Sequence, residues 1–116
     1  MNAPGLPNAD QAVIEGEKLW GYALDPGHAL GQHKARVFQS ALGIGRDDWE
    51  YLRDRILAAI PSAAVATVRV TTFGTLYEVP ILMEGLNGET HEVTTAWFVA
   101  NDEDPPKLVS TYVNVP

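Results

Sequence analysis

The stretch Tyr77-Glu-Val-Pro-Ile-Leu-Met-Glu-Gly-Leu-Asn-Gly-Glu-Thr-His-Glu-Val-Thr-Thr-Ala-Trp-Phe-Val99 decides the fold class. Tyr77, Val79, Ile81 and Met83 alternate with Glu78, Pro80 and Leu82, the two-residue period of a strand. Asn87-Gly88 is a strong hairpin signal, because both residues accept positive φ. A second run, from about Glu89 to Val99, then folds back on the first. A two-residue loop sets Leu86 opposite Glu89. Counting back, Met83 faces Glu92, Ile81 faces Thr94, Val79 faces Ala96 and Tyr77 faces Phe98. This register buries Tyr77 against Phe98 and is the expected one; a three-residue loop with a bulge at Gly88 would flip the third strand. In the expected register the uncovered face carries Glu78, His91, Thr95 and Trp97, a candidate binding surface. The alternative is Trp97 half-buried against the N-terminal segment. Pro80 suggests an edge position, since it cannot donate to a ladder.

Outward from this hairpin, Ala66, Val68 and Val70 alternate with Thr67, Arg69 and Thr71, and Gly74 breaks the run. A last strand, Leu108 to Val113, follows an acidic loop from Asn101 to Pro106. Upstream of Pro61 the period becomes helical. A first helix, capped by Asn8 or Asp10, carries Val13, Ile14, Leu19, Tyr22 and Ala23, with Gly16 weakening its middle. A second runs from about Gly31 to Leu42 and stops at Gly43. A third runs from Asp47 to about Ile60, with Trp49, Leu52, Ile56 and Ile60 as its apolar stripe. Three helices followed by four strands predict a single α+β domain over residues 1–116. The helices should pack on one face of a four-stranded antiparallel sheet. Residues 1–7, rich in Pro and Gly, are expected to be flexible.

The chain has no cysteine, which excludes disulfide frameworks, thiolate zinc sites and thiol catalysis. No apolar run is long enough to span a membrane. The N-terminus lacks the pattern of a secretory signal, so the cytoplasm is the expected location. The formal charge is −7, which repels nucleic acid unless cations gather locally. They do gather. Between Asp25 and Asp47 there is no carboxylate, and that window holds Lys34, Arg36, Arg46, His28 and His33.

On a helix from about Gly31, Leu30, Val37, Phe38, Ala41 and Leu42 form one apolar arc. Lys34 falls in its centre, His33 lies at its edge and Arg36 points away. A lysine in the first turn of a helix opposes the dipole, and on an apolar face it is partly desolvated. Something must balance that placement. A carboxylate such as Glu78 or Glu92, or simple snorkelling of the side chain to water, would do so structurally, and a phosphate functionally. His28 and His33 are candidates for proton transfer near neutral pH, or are surface and capping residues. With no Asp or Glu beside them, no metal site or cofactor is expected. No Ser-His-Asp set or phosphate-binding glycine loop stands out.

The chain also resembles a known family. Leu6-Pro-Asn-Ala-Asp10, the Pro26/His28/Gly31 loop, His33-Lys-Ala-Arg-Val-Phe38, Ser40-Ala-Leu-Gly43, Asn87-Gly88, Thr95-Ala-Trp97 and Pro106-Lys-Leu-Val-Ser110-Thr-Tyr112 resemble the bacterial domains of unknown function numbered 6883. The match covers nearly the whole chain. That family is more distantly similar to the toxin nucleases grouped as barnase, EndoU, colicin and RelE-like. The resemblance implies N-terminal helices, a four-stranded antiparallel sheet and metal-free RNA cleavage on the open sheet face. Active residues vary in that group, typically a basic or His residue from the helical part with a hydroxyl residue on a late strand. The matching positions here are His33, Lys34, Thr95, Trp97, Ser110 and Tyr112. The chain departs from a typical RNase toxin in its acidity and in lacking an obvious Glu/Arg/His set on the sheet.

Two functions follow as expectations. One is a metal-independent ribonuclease of toxin type, acting on tRNA or mRNA. His28 or His33 would serve as base, Lys34 or Arg36 would stabilise the phosphorane, Thr95 or Ser110 would hold phosphate oxygens, and Trp97 or Tyr112 would stack a nucleobase. Its partners would be RNA and a cognate antitoxin or immunity protein. The other is a non-enzymatic protein-binding module, antitoxin-like or an inactive member of the fold, whose acidity suits a basic partner.

Overall fold

The change of period at Pro61 divides the molecule. In a computed structural model describing residues 4–114, every strand lies after it and every helix of more than one turn lies before it. Helix α1 spans Gln32–Leu42 and helix α2 spans Trp49–Ala59. Strands β1 (Thr67–Val70), β2 (Thr75–Glu84), β3 (Thr90–Val99) and β4 (Lys107–Val113) form one sheet in sequence order, each pair antiparallel. The architecture is α+β with the helical elements on one face, as the periodicities predict.

The first helix is shorter than its pattern suggests. A 3-10 turn at Ala9–Gln11 and a π-helical turn at Leu19–Ala23 replace it. Between them Val13 is extended. Its N–H bonds Pro106 O at 2.8 Å, and its own carbonyl accepts from Leu108 N–H at 3.0 Å. Those bonds tie the segment to the start of β4 and take the groups a continuous helix would need. Leu6, expected to be flexible, is buried in the core, and Gly5 pairs with Ala64. Residues 1–3 of that expectation lie outside the described residues.

The hairpin register is the main correction. Tyr77 pairs with Trp97, Val79 with Thr95, Ile81 with Val93 and Met83 with His91. The turn is the three-residue loop Leu86-Asn87-Gly88, closed by Gly85 N–H on Glu89 O at 2.7 Å, with Gly88 at φ +84. The reason lies outside the hairpin. The Asn87 side chain donates to Ala41 O at 3.1 Å and so satisfies the end of α1. Gly85 lies so close to Leu42 that an added Cβ would come within 2.3 Å of its carbonyl oxygen. The turn is shaped by the helix it caps. One residue of slip moves every β3 side chain to the other face.

Trp97 and Thr95 therefore point into the core, both fully buried, beside Val79, Val93, Phe38, Leu52 and Ile56. The Trp97 indole N–H donates to the Thr95 hydroxyl at 2.8 Å, which donates to Val79 O at 2.7 Å. Pro80 lies on an inner strand, but beyond Thr67, which pairs with Glu78 near the end of β1. Its missing N–H thus costs no ladder bond to β1.

Candidate functional site

The flipped register gives the open face a different set of side chains. Across the strands, Thr67 pairs with Glu78, Glu78 with Ala96, and Ala96 with Ser110. Thr94 pairs with Tyr112 in the adjacent row. The ladder then slips, so that Trp97 pairs with Leu108 and Val109 is left as the extra residue of a bulge. Bulges of this kind re-aim side chains and recur beside active sites.

The Glu78 carboxylate accepts from the Thr67 hydroxyl at 2.7 Å and from the Tyr112 hydroxyl at 3.2 Å. Burial, reinforced by the Glu78 charge, pushes the Tyr112 phenol above the usual tyrosine range. Lys34 acts on Tyr112 in the opposite sense, and the two border a shallow hollow of about 220 Å³ with His33. The Lys34 ammonium donates to the Tyr22 hydroxyl at 3.0 Å and lies 4.9 Å from the centre of that ring. This hydrogen bond, with smaller help from Ser110, holds the Tyr22 phenol below the usual range. The cation on the greasy side of α1 thus meets a phenol rather than a carboxylate.

A polar line runs over the open sheet from Thr67 through Glu78 and Tyr112 to Lys34 and Tyr22. Two hollows flank it. One of about 580 Å³ is lined by Thr67, Arg69, Leu76, Glu78, Ala96 and Val109. The other, about 450 Å³, lies beside Tyr22, His28, Lys18 and Glu17, and Val109 borders both.

The remaining sequence candidates divide. Ser110 and Tyr112 join Lys34 at the site. His33 is exposed on the outer side of the Lys34 hollow. His28 Nδ1 accepts the backbone N–H groups of Leu30 at 3.0 Å and Gly31 at 3.1 Å. The neutral ring therefore carries its proton on Nε2, and it stands edge-on to Tyr22 at 5.0 Å. That is the placement of a residue that holds Tyr22, and no basic nitrogen is left free. Arg36 is exposed and bonds Gln32. Thr95 and Trp97, sealed in the core, reach nothing on the open face. Tyr22 was hidden among the apolar residues of the first helical segment. The signal that finds it is Lys34, which needs an acceptor that an apolar face tolerates.

A family model described as a domain of unknown function (DUF6883) matches residues 5–115. The chain belongs to that family. No curated protein matches this DUF6883 domain significantly. Among solved structures it is similar to a chain of the contact-dependent growth inhibition toxin–immunity protein complex from Klebsiella pneumoniae 342. The TM-score is 0.70 at 15% identity, over 96% of this chain and 100% of that one. At that identity the likeness establishes a shared fold. No helix among the described residues is long and apolar enough to cross a membrane.

Proposed function

We propose that this DUF6883 domain is a metal-independent ribonuclease of toxin type, acting on tRNA or mRNA from the open face of its sheet. The observation that carries the reading is the line in which Tyr112 stands between the Glu78 carboxylate and the Lys34–Tyr22 pair. RNA transphosphorylation needs a base for the ribose 2′-OH, a cation for the phosphorane and an acid for the leaving 5′-oxygen. Glu78 takes the 2′ proton. The freed 2′-oxygen attacks phosphorus, and Lys34 offsets the charge that develops on the phosphoryl oxygens. The P–O5′ bond breaks, and Tyr22 returns a proton to the departing oxygen. The products are a 2′,3′-cyclic phosphate and a 5′-hydroxyl.

Lys34 spends its hydrogen bond as donor to Tyr22, which leaves the phenolic proton free for an acceptor. The lowered Tyr22 pKa brings that proton nearer the working range of an acid catalyst. Ser110 flanks the phosphate position with a hydroxyl donor, while Tyr112, whose proton goes to Glu78, orients that carboxylate. His28 and Gly31 fix the Tyr22 ring and backbone. The net charge of −7 is offset locally by Lys34 and by Arg69 at the far end of the line. A chain of a growth-inhibition toxin–immunity protein complex shares the fold, which supports a place in a toxin system. In the nuclease reading the partner is a cognate immunity protein.

The test is incubation of pure protein with total tRNA, with and without EDTA, followed by end-group analysis. Cleavage to cyclic-phosphate ends that survives EDTA supports the reading. Intact tRNA, together with an intact mRNA transcript in a parallel reaction, at high enzyme with or without divalent metal, removes it.

The charge itself favours a second reading. Glu84, Glu89 and Glu92 are exposed around the β2–β3 turn, and a net −7 surface steers a basic protein. A non-enzymatic module that masks a basic partner then takes the place of the nuclease, and the same tRNA assay separates the two.

A further inference from the structure

We propose that the 580 Å³ hollow beside Glu78 is a purine-base subsite that prefers guanine, with Arg69 as its reading residue. The inference rests on the ribonuclease reading for its ligand, and on the hollow for its content. Its floor is apolar and low, because Ala96 stands where the row from Glu78 to Ser110 would otherwise be filled. Leu76 and Val109 extend the floor into a surface on which a planar ring can lie. Arg69 on β1 pairs with Leu76 on β2, one step diagonal to Glu78, and the guanidinium and the carboxylate line the same hollow.

Each Glu78 oxygen accepts one hydroxyl, Thr67 on one and Tyr112 on the other, and keeps a further lone pair. Arg69 forms no ion pair among the described residues and is exposed. Its forked donors thus stand free at the mouth of an apolar slot. Guanine offers two acceptors, O6 and N7, on one edge and matches that fork bidentately. Adenine offers N7 beside a donor, and pyrimidines lack N7 and cover less of the floor. With a base there, the attached ribose lies against Glu78 and its phosphate against Lys34 and Tyr22.

The experiment is an amide NMR titration of the full chain with 3′-GMP, 3′-AMP, 3′-CMP and 3′-UMP, in wild type and Arg69→Ala. Arg69 is exposed on an edge strand, so the variant should keep the fold. Shifts should centre on Leu76, Ala96 and Val109, with 3′-GMP bound roughly tenfold tighter than the pyrimidine nucleotides, within the range of one bidentate Arg–guanine contact. Arg69→Ala should abolish that preference. Equal affinities, shifts confined to other surfaces, or an unchanged preference in Arg69→Ala overturn the subsite. Binding needs no turnover. Guanine-selective binding with tRNA and mRNA both intact therefore removes the nuclease and keeps the subsite, and RNA cleavage without base preference does the reverse.

Discussion

The Lys34 ammonium lies 3.0 Å from the Tyr22 hydroxyl and donates to it, joining α1 to the helical turn that precedes it. The bond favours the phenolate, because a charged donor stabilises the ionised acceptor. Tyr22 is thereby held below its ordinary value of 10.0. It is expected to ionise before Tyr112 in an ultraviolet titration. Lys34→Met should remove that early step. The linked stability is present above pH 10 and is lost as pH falls through the folded-state pKa of Tyr22, so the pH-dependent part of the difference between wild type and Lys34→Met should appear in that alkaline window. On RNA, loss of the cation should lower the rate roughly 10²–10³-fold, the magnitude for removal of one electrostatic stabiliser. A folded Lys34→Met protein that cleaves at the wild-type rate would discard Lys34 from the mechanism.

Tyr112 shows the opposite behaviour. Burial first, and Glu78 second, push its phenol above 10.0. A raised group contributes stability that is complete below pH 10 and fades as pH rises through the folded value. In Glu78→Gln the Tyr112 ionisation should move down part of the way, since burial remains. The same substitution removes the base and should lower cleavage roughly 10²–10⁴-fold. Tyr112→Phe keeps the carboxylate but strips one donor from it, so its loss of rate should be the smaller of the two. Single-turnover cleavage of a short RNA measures both, and a Tyr112→Phe defect as deep as that of Glu78→Gln would contradict the roles assigned.

Thr95 and Trp97 offer a test with the opposite sign. Thr95→Val leaves the Trp97 indole N–H, buried and bonded only through that hydroxyl, without its acceptor. The cost is expected at about 1–3 kcal/mol, the penalty for an unsatisfied buried donor. Urea unfolding followed by Trp fluorescence measures it. Cleavage per folded molecule should be unchanged, because neither side chain reaches the open face. A large loss of rate with unaltered stability would return Thr95 to the site.

These outcomes trace what the sequence makes legible. The period change at Pro61, the stop at Gly43 and the alternation from Tyr77 to Met83 are local signals, and the elements they mark are where they were expected. Register is a different kind of information. Asn87-Gly88 is compatible with two loop lengths, and the choice is made by Asn87 bonding the end of α1, a contact 46 residues away in sequence. One residue of slip exchanged Trp97 and Thr95 for Thr94 and Ala96 on the open face. Lys34, Ser110 and Tyr112 were found because each carries its own anomaly or motif. Tyr22 and Arg69 were missed because a tyrosine in an amphipathic segment and an arginine on an alternating strand look ordinary until the fold puts them beside a hollow.

Gly31 provides the last test, and it concerns how Tyr22 is held. A Cβ added at Gly31 would lie 2.1 Å from the Tyr22 carbonyl oxygen and 3.1 Å from its ring. The obstacle is backbone, so neither a rotamer change nor a small shift relieves it. Gly31→Ala must push the start of α1 away from the Leu19–Ala23 turn, and His28, whose Nδ1 accepts the Gly31 amide, moves with it. The expected cost is about 1–3 kcal/mol, as for other overpacked contacts. The more informative readout is the tyrosine titration. If Gly31 places Tyr22 against Lys34, the early-ionising step should weaken or vanish in a protein that is still folded. Cleavage should fall together with it. Gly31→Ala with lowered stability but an intact early step would show that the close approach serves packing alone, and that His28 suffices to hold the phenol.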